Sequence, residues 1–428
     1  MKKTLTAALG TTFLLGFAAS AFAIHGTVPA EQSVVAGKNA KITLDGKIRS
    51  RGYSKSTTTV ANSDGSTAEG YDSTVQLGVK AVLSDEASGY IHLETGSGSG
   101  DTYNWDGAAG LNTGGSKRGS MEINQAWINY DPGMVGVKVG HMPLALNNKQ
   151  FFDHTTDGDD AIVVYMDPSS NTHIGLLTIK FNEGNTSAND DIDGYVALLM
   201  QKMGASNLGV SLTNLNRDGD VLDMYNLGID FGGKFGPVAL KAGLDYQMGD
   251  DGGTFTGGTP TAQHGFAGYA VVVDGSMDAG AVKVGAVLGY GTGDGDATDT
   301  DQEKFINFLS DVRYYSTMVG YILQVPGAAS KNTGLQNMLL VQVNGAGKIT
   351  DDISWKARVN YMTLNEVAVG ADDDLGIELE GFLTWKLSNG LSYGIEAAYL
   401  LTGDAWKTTP TAEVDDVWFL RHSLTLDF

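Results

Sequence analysis

The sequence predicts an all-β fold, a transmembrane antiparallel up-and-down β-barrel of about 18 strands, and three observations predict it. Apolar and polar residues alternate with period two from about residue 40 onward. The connections between alternating segments are by turns short and long. The chain stops on such a segment, with Leu420, His422, Leu424, Leu426 and Phe428 sharing one face. Successive side chains of a strand point to opposite faces, so each segment separates two environments.

The first element is an address. Residues 1–23 open with Lys2 and Lys3, run through Phe13, Leu14, Leu15 and Phe17, and end on Ala21-Phe22-Ala23. A positive start, a short apolar core and small residues at the cleavage site describe a secretory signal peptide. Residues 24–39 are expected to be an N-terminal periplasmic segment and 40–428 the barrel. No stretch beyond the N-terminus approaches the ~18 apolar residues of a membrane helix.

The alternating segments lie near 40–53, 71–83, 89–96, 120–130, 134–140, 161–166, 172–182, 191–203, 206–215, 222–233, 237–248, 264–275, 279–291, 335–348, 352–364, 374–387, 390–402 and 415–428. Sixteen strands are the alternative, because the third, sixth and eighth segments are the weakest. Either count is even, which brings both ends to one side. Short connections carry turn chemistry: Asp131-Pro132-Gly133, Asp167-Pro168-Ser169-Ser170, Gly204-Ala205-Ser206, Phe235-Gly236-Pro237, Thr350-Asp351-Asp352 and Ser388-Asn389-Gly390. Longer ones cover 54–70, 97–119, 141–160, 249–263, 292–334 and 403–414. Short periplasmic turns opposite long extracellular loops are the pattern of a bacterial outer-membrane barrel.

Closure follows from solvation. Trp355, Tyr361, Leu379, Leu383, Trp385, Tyr393 and Tyr399 fall on one face, and no helical segment is available to cover them. In lipid that face is satisfied, and the backbone is satisfied only when the sheet has no edge. Trp355 and Tyr361, like Tyr393 and Tyr399, are six residues apart, roughly 20 Å of strand. That spacing suits two interfacial aromatic girdles.

The opposite face is expected to line a water-filled lumen. It carries Lys47, Arg49, Arg51, Lys80, Lys138, Lys180, Lys241, Lys283, Lys356, Arg358, Lys386 and Arg421, with Asp45, Asp230, Asp245, Glu378, Glu380 and Glu396 as acidic partners. Eighteen strands enclose more space than side chains can fill, so these groups should face water and act on passing ions. The wall is then basic and the loops acidic. Loop 292–334 holds FINFLSDVRYYSTMVGYILQ, apolar enough to fold locally as a helix and to pack inside the barrel, with Arg313 a candidate constriction residue. In the same loop Asp294, Asp296, Asp299 and Asp301 offer carboxylates to a calcium ion, although the spacing lacks the central Gly and later Glu of an EF-hand. No other cofactor is expected.

Composition excludes other classes. With no Cys there is no disulfide framework, thiolate metal site or covalently attached haem. A net charge of −22, made more negative by loss of Lys2 and Lys3, disfavours nucleic acid as a partner. GxSxG and HExxH are absent and none of the seven His stands in a recognisable nucleophile–base pattern, so no enzyme is expected.

Residues 123–144, INQAWINYDPGMVGVKVGHMPL, resemble the strand-turn-strand of alginate-export-type outer-membrane porins. Residues 374–406, DLGIELEGFLTWKLSNGLSYGIEAAYLLTGDAW, are similar to the final hairpins of that family. The resemblance implies an 18-stranded barrel, a charged lumen and a passive channel. The terminal strand ending in Phe428 also resembles the signal read by the barrel-assembly machinery. The expectation is a porin in the outer membrane of a Gram-negative bacterium, contacting lipid and passing ions and small hydrophilic solutes. Two alternatives stand beside it: a selective channel or exporter for an anionic solute or polysaccharide, and a surface adhesin or scaffold barrel. A homotrimer is compatible with the composition, because a lipid-facing strip and a subunit interface look alike.

Overall fold

In a computed structural model the described residues are 33–36, 40–56, 67–96, 103–104, 120–146, 149–183, 191–217, 222–250, 265–295, 301–310, 315–319, 322–328, 334–407, 409 and 411–428. The predicted signal peptide and most of 24–39 lie outside them. Eighteen long strands follow one another: β1 Lys41–Ser56, β2 Thr67–Val82, β3 Ala87–Gly96, β4 Ser120–Tyr130, β5 Gly136–Leu146, β6 Phe152–Ser169, β7 Thr172–Asn182, β8 Ile192–Met203 and β9 Ser206–Arg217. Then come β10 Leu222–Phe235, β11 Val238–Asp250, β12 Tyr269–Ala279, β13 Val282–Gly291, β14 Met338–Lys348, β15 Ile353–Leu364, β16 Asp374–Ser388, β17 Leu391–Thr402 and β18 Val417–Asp427. Each pairs antiparallel with the next.

The ring closes where β18 pairs with β1, from Lys47 opposite Asp427 to Lys55 opposite Phe419. At the foot of this seam Gly46 N donates to Phe428 O at 2.8 Å and Phe428 N to Gly46 O at 3.0 Å. Below it a short strand, Ser33–Ala36, takes the edge of β1 that β18 leaves, pairing Ser33 with Leu44 and Ala36 with Lys41. No ladder edge is left open along the seam, which is the condition for placing a sheet in hydrocarbon.

Eighteen strands stand and sixteen do not, since the third, sixth and eighth segments are all ladder strands. The predicted loop 141–160 is mostly strand: β5 runs on to Leu146 and β6 begins at Phe152, with the register slipping between Met142 and Leu144. The polar run His154 to Asp160 belongs to a strand end that rises beyond the apolar belt, where period-two alternation no longer reports on lipid. One rim carries only tight turns. Gly236 there has φ +58°, a conformation that side chains seldom adopt, and open space where a Cβ would stand.

The outer face is mostly greasy. Ile48, Leu424, Trp385, Tyr361 and Tyr399 are each more than a third exposed, and their neighbours across the ladder are apolar except Ser50, which stands opposite Leu424. The inner face is divided. Along β6 to β8 it is largely apolar, and on β9 and β10 apolar residues alternate with Ser211, Thr213, Asn226 and Asp230; Val163, Leu177, Val196, Leu198 and Met224 are buried in one cluster with Phe151, Phe152 and Phe305. A second buried cluster gathers Met318, Val319, Ile322 and Leu323 with Leu340, Met362, Leu400 and Phe419 of β14 to β18.

Phe305, Met318 and their neighbours come from the connection between β13 and β14, which enters the barrel as an extended strap. Asp301–Gln302 pairs parallel with Gly265–Phe266, and Phe308–Ser310 parallel with Phe152–Asp153 of β6. The expected local helix is absent among the described residues of this segment. The amides of Ile306, Phe308, Thr317 and Met318 bond to the barrel wall, and the bond from Ile322 N to Met318 O at 3.1 Å, four residues back, is not propagated into a helix among the described residues.

Candidate functional site

The strap is fixed at two places on the inner wall. At the first, Ile306 N donates to Gln247 Oε1 at 2.9 Å, and Gln247 Nε2 donates to Ile306 O at 2.6 Å. Phe308 N reaches Phe151 O at 2.8 Å, in the short connection between β5 and β6. At the second, Tyr315 O accepts from Gln342 Nε2 of β14 at 3.1 Å and from Asn360 Nδ2 of β15 at 2.9 Å. Thr317 N donates to Glu378 Oε1 and Glu380 Oε1, both at 3.0 Å, and Met318 N to Glu378 Oε1 at 2.8 Å. The first anchorage spans β11, which carries Gln247, and the β5–β6 connection, while the second lies on β14 to β16; β6 and β15 are nine strands apart in a ring of 18, so the strap touches opposite sides of it. Tyr315 links them: Gln150 Nε2, beside β6, donates to its phenol oxygen at 2.6 Å.

The predicted lumenal residues, Lys180 excepted, lie on the inner face of their strands. Lys47, Arg49 and Arg51 form one row on β1, facing Gln76, Thr74 and Asp72 of β2. Arg51 grips Asp72 with Nε at 2.6 Å and a terminal nitrogen at 3.0 Å, while Arg49 donates to Thr74 Oγ1 at 3.0 Å. Lys80 stands opposite Thr43 and Tyr90. Arg421 of β18 pairs with Glu396 of β17. On the other side Lys241 faces Asp274, and Lys283 and Lys356 occupy one row across Ala346. Lys386 is exposed near the short-turn rim.

Seven of these groups do not meet the expectation that they face water; among them Asp45, Asp230 and Asp245 are buried on the inner face of their strands. Glu378, Glu380 and Arg358 are buried, because the strap lies on them and Arg358 pairs with Glu380. Lys138 is only 2% exposed, its ammonium 3.9 Å from the centre of the Trp127 ring. Face is written in the alternation; what covers the face is not. Lys180 is on the outer face, because Leu177 and Ile179 are buried on the inner one, and it pairs with Asp193 at 2.7 Å and Asp191 at 3.1 Å. The usual alternation of polar inside and apolar outside fails on β7, where both sides are apolar.

Arg313 lies outside the described residues, as do Asp296 and Asp299. Asp294 and Asp301 are described, and among the described residues no group of three or more His, Asp or Glu is placed to hold a metal.

Sequence reasoning missed the neutral residues that fasten the strap: Gln150, Gln247, Gln342, Asn360, Ser316 and Thr317. Gln342 and Asn360 occur at inward positions of otherwise ordinary strands, and only the pairing of those positions across β14 and β15 gives them a common target. Asp274 and Phe382 were also missed; Arg358 lies over the Phe382 ring, 5.0 Å from its centre.

The resulting lumen has its carboxylates largely engaged. Glu378 serves strap amides, Glu380 takes Arg358, Glu396 takes Arg421, Asp72 takes Arg51, and Asp45 accepts from Tyr90 at 3.0 Å. Lys47 and Lys356 have no carboxylate within ion-pair distance among the described residues. These lysines and the inner-face carboxylates of Asp230, Asp245 and Asp274 together set the field along the lumen.

No protein-family model matches the sequence, and no curated protein does. In three dimensions the chain is similar to OccK9 (OpdG) of Pseudomonas aeruginosa, at 13% sequence identity and a TM-score of 0.58, covering 90% of this chain and 98% of that one. It is similar to a BenF-like porin from Pseudomonas fluorescens Pf-5, at 12% identity and a TM-score of 0.54, covering 90% and 99%. It is similar also to Pseudomonas aeruginosa OccK2 (OpdF) in complex with glucuronate, at 13% identity and a TM-score of 0.54, covering 90% and 96%. At such identities the likeness establishes the fold alone, a closed 18-stranded barrel. The similar structures are of the Occ kind, not the alginate-export kind that residues 123–144 and 374–406 resemble.

Proposed function

We propose that the chain is a porin of the outer membrane of a Gram-negative bacterium, through which ions and small hydrophilic solutes diffuse down their gradients. The observation that carries this reading is the strap anchored on opposite walls of a closed barrel with an apolar outside. In this reading it narrows the passage, with the row Lys47, Arg49 and Arg51 on the wall beside it. Transport by diffusion needs no chemistry from the protein, only width and field.

Anionic solutes are the class this field favours. Lys47 and Lys356 keep their charge unmatched by a nearby carboxylate, whereas the acids are engaged by strap amides, arginines and Tyr90. The similar proteins crystallised with glucuronate and with vanillate point the same way, since both ligands carry a carboxylate. Export of a long polyanion, the alternative drawn from the alginate-export resemblance, would require the strap to leave its anchors. An adhesin or scaffold would be served by a protruding loop, and the longest connection instead turns inward.

In this reading Arg313, outside the described residues, is a candidate constriction residue, and Lys80, Lys241, Lys283, Lys386 and Arg421 contribute to the wall. Lipid is the outer partner, the terminal strand ending at Phe428 engages the assembly machinery, and a homotrimer is the candidate assembly. Planar-bilayer recording of the refolded protein in asymmetric KCl tests the function. Discrete channels with a reversal potential displaced toward chloride are expected. Absence of channels, or cation preference, overturns the corresponding half of the proposal.

A further inference from the structure

Five consecutive strap residues, 315–319, are fastened to four adjacent strands, and one side chain takes more of these bonds than any other. The carboxylate of Glu378 accepts from two successive amides, Thr317 N at 3.0 Å and Met318 N at 2.8 Å, and also from the hydroxyl of Ser316. That hydroxyl in turn accepts from Val319 N at 2.8 Å, so the strap is curled around the carboxylate. Glu378 is fully buried, and among the described residues no lysine or arginine pairs with it. Its neighbour Glu380 shares the Thr317 amide but is committed to Arg358 and to Asn360 Nδ2 at 3.1 Å. Glu396 reaches only the Thr317 hydroxyl, at 3.2 Å.

A carboxylate on the inner wall of a water-filled barrel with no cation beside it is costly unless N–H and O–H groups replace its hydration. Here the strap supplies them. The dependence is mutual: without the carboxylate, two amides and a hydroxyl are left buried with no acceptor. Resting on the channel reading above, we propose that Glu378 is the positioning residue of the constriction, holding the strap across the lumen and so setting the width of the passage. It touches no solute. It acts through Ser316, Thr317 and Met318.

The chain has no cysteine, so a single introduced one reports on the strap without background. Thr317 is 2% exposed, and Thr317→Cys should react slowly with a charged methanethiosulfonate while the strap is docked. In the Glu378→Ala background the same cysteine should react at least about tenfold faster, because the buried amides lose their acceptor and the docked state is weakened. Bilayer recording of Glu378→Ala should show larger and noisier single-channel currents. Glu378→Gln, which keeps one acceptor oxygen, should fall between the two on both readouts. Folded barrel is verified by its heat-modifiable mobility in gels. If Glu378→Ala does not fold, Ser316→Ala with Glu378→Gln gives the same comparison. Unchanged labelling and unchanged currents in these variants overturn the proposal. Loss of channels in the unsubstituted protein with the labelling difference retained would overturn the channel reading and leave the anchoring in place.

Discussion

The two halves of the inner wall obey different rules. From β15 through β18 to β2, the lumenal face carries the pairs Arg358–Glu380, Arg421–Glu396 and Arg51–Asp72, with Glu378, Lys47 and Arg49 beside them. From β6 to β10 it carries Val163, Leu177, Val196, Leu198 and Met224, none more than 6% exposed. Both halves have the same apolar exterior and the same ladder geometry. The difference teaches that a barrel wall has no intrinsic inside polarity. It is polar where water stands against it and apolar where Phe151, Phe152 and Phe305 do.

The comparison is broken most severely by removing the strap. Deletion of 300–325 should raise single-channel conductance by at least about twofold, since conductance follows the open cross-section of the pore, and should wet the apolar half as well as the charged one. Conductance equal to that of the full chain would show that the strap does not obstruct the passage. Next in size, Leu198→Ala in the apolar half should cost about 2–4 kcal/mol of stability by emptying a buried site, whereas Lys47→Ala should change it by less than about 0.5 kcal/mol. Denaturant unfolding in lipid, followed by tryptophan fluorescence, ranks the two, and equal losses would erase the distinction between the halves.

A third test acts on charge. Lys47→Gln with Arg49→Gln and Arg51→Gln should move the reversal potential in asymmetric KCl toward the cation side, and Lys356→Gln should do so by less. An unmoved potential would mean that the loops, not this row, set selectivity. The smallest expected effect sharpens the topology. Lys180→Gln, outside the barrel near the long-loop rim, should leave selectivity unchanged and shift stability by no more than about 1 kcal/mol, as for other exposed ion pairs.

How much of this was legible in the sequence depends on whether the information is local. The number and order of strands were, because each alternates on its own, and so was the identity of the outer face, set by Ile48, Tyr361, Trp385 and Tyr399. The short turns were legible through residues such as Gly236 and Pro237. The strand end at 152–160 was not, because beyond the apolar belt lipid no longer enforces the pattern and Asp157, Asp159 and Asp160 read as loop. Lys180 was placed on the wrong face for a related reason: its strand is apolar on both sides, and the inner cover comes from residues more than a hundred positions away. The strap was recognisable as an apolar insertion, yet Gln342, Asn360 and Glu378 share no sequence signature. They meet only after β14, β15 and β16 are laid side by side.

The meeting of β1 and β18 has a consequence in time. Ser56 and Trp418, joined by a hydrogen bond of 2.9 Å, are 362 positions apart. Every other neighbouring pair of strands can zip as soon as both are made, whereas this pair waits for the eighteenth. Until then the growing sheet is a ribbon with two sticky margins, prone to join another ribbon instead of itself. Whatever escorts the polypeptide to its bilayer must keep those two margins apart from strangers until they find each other.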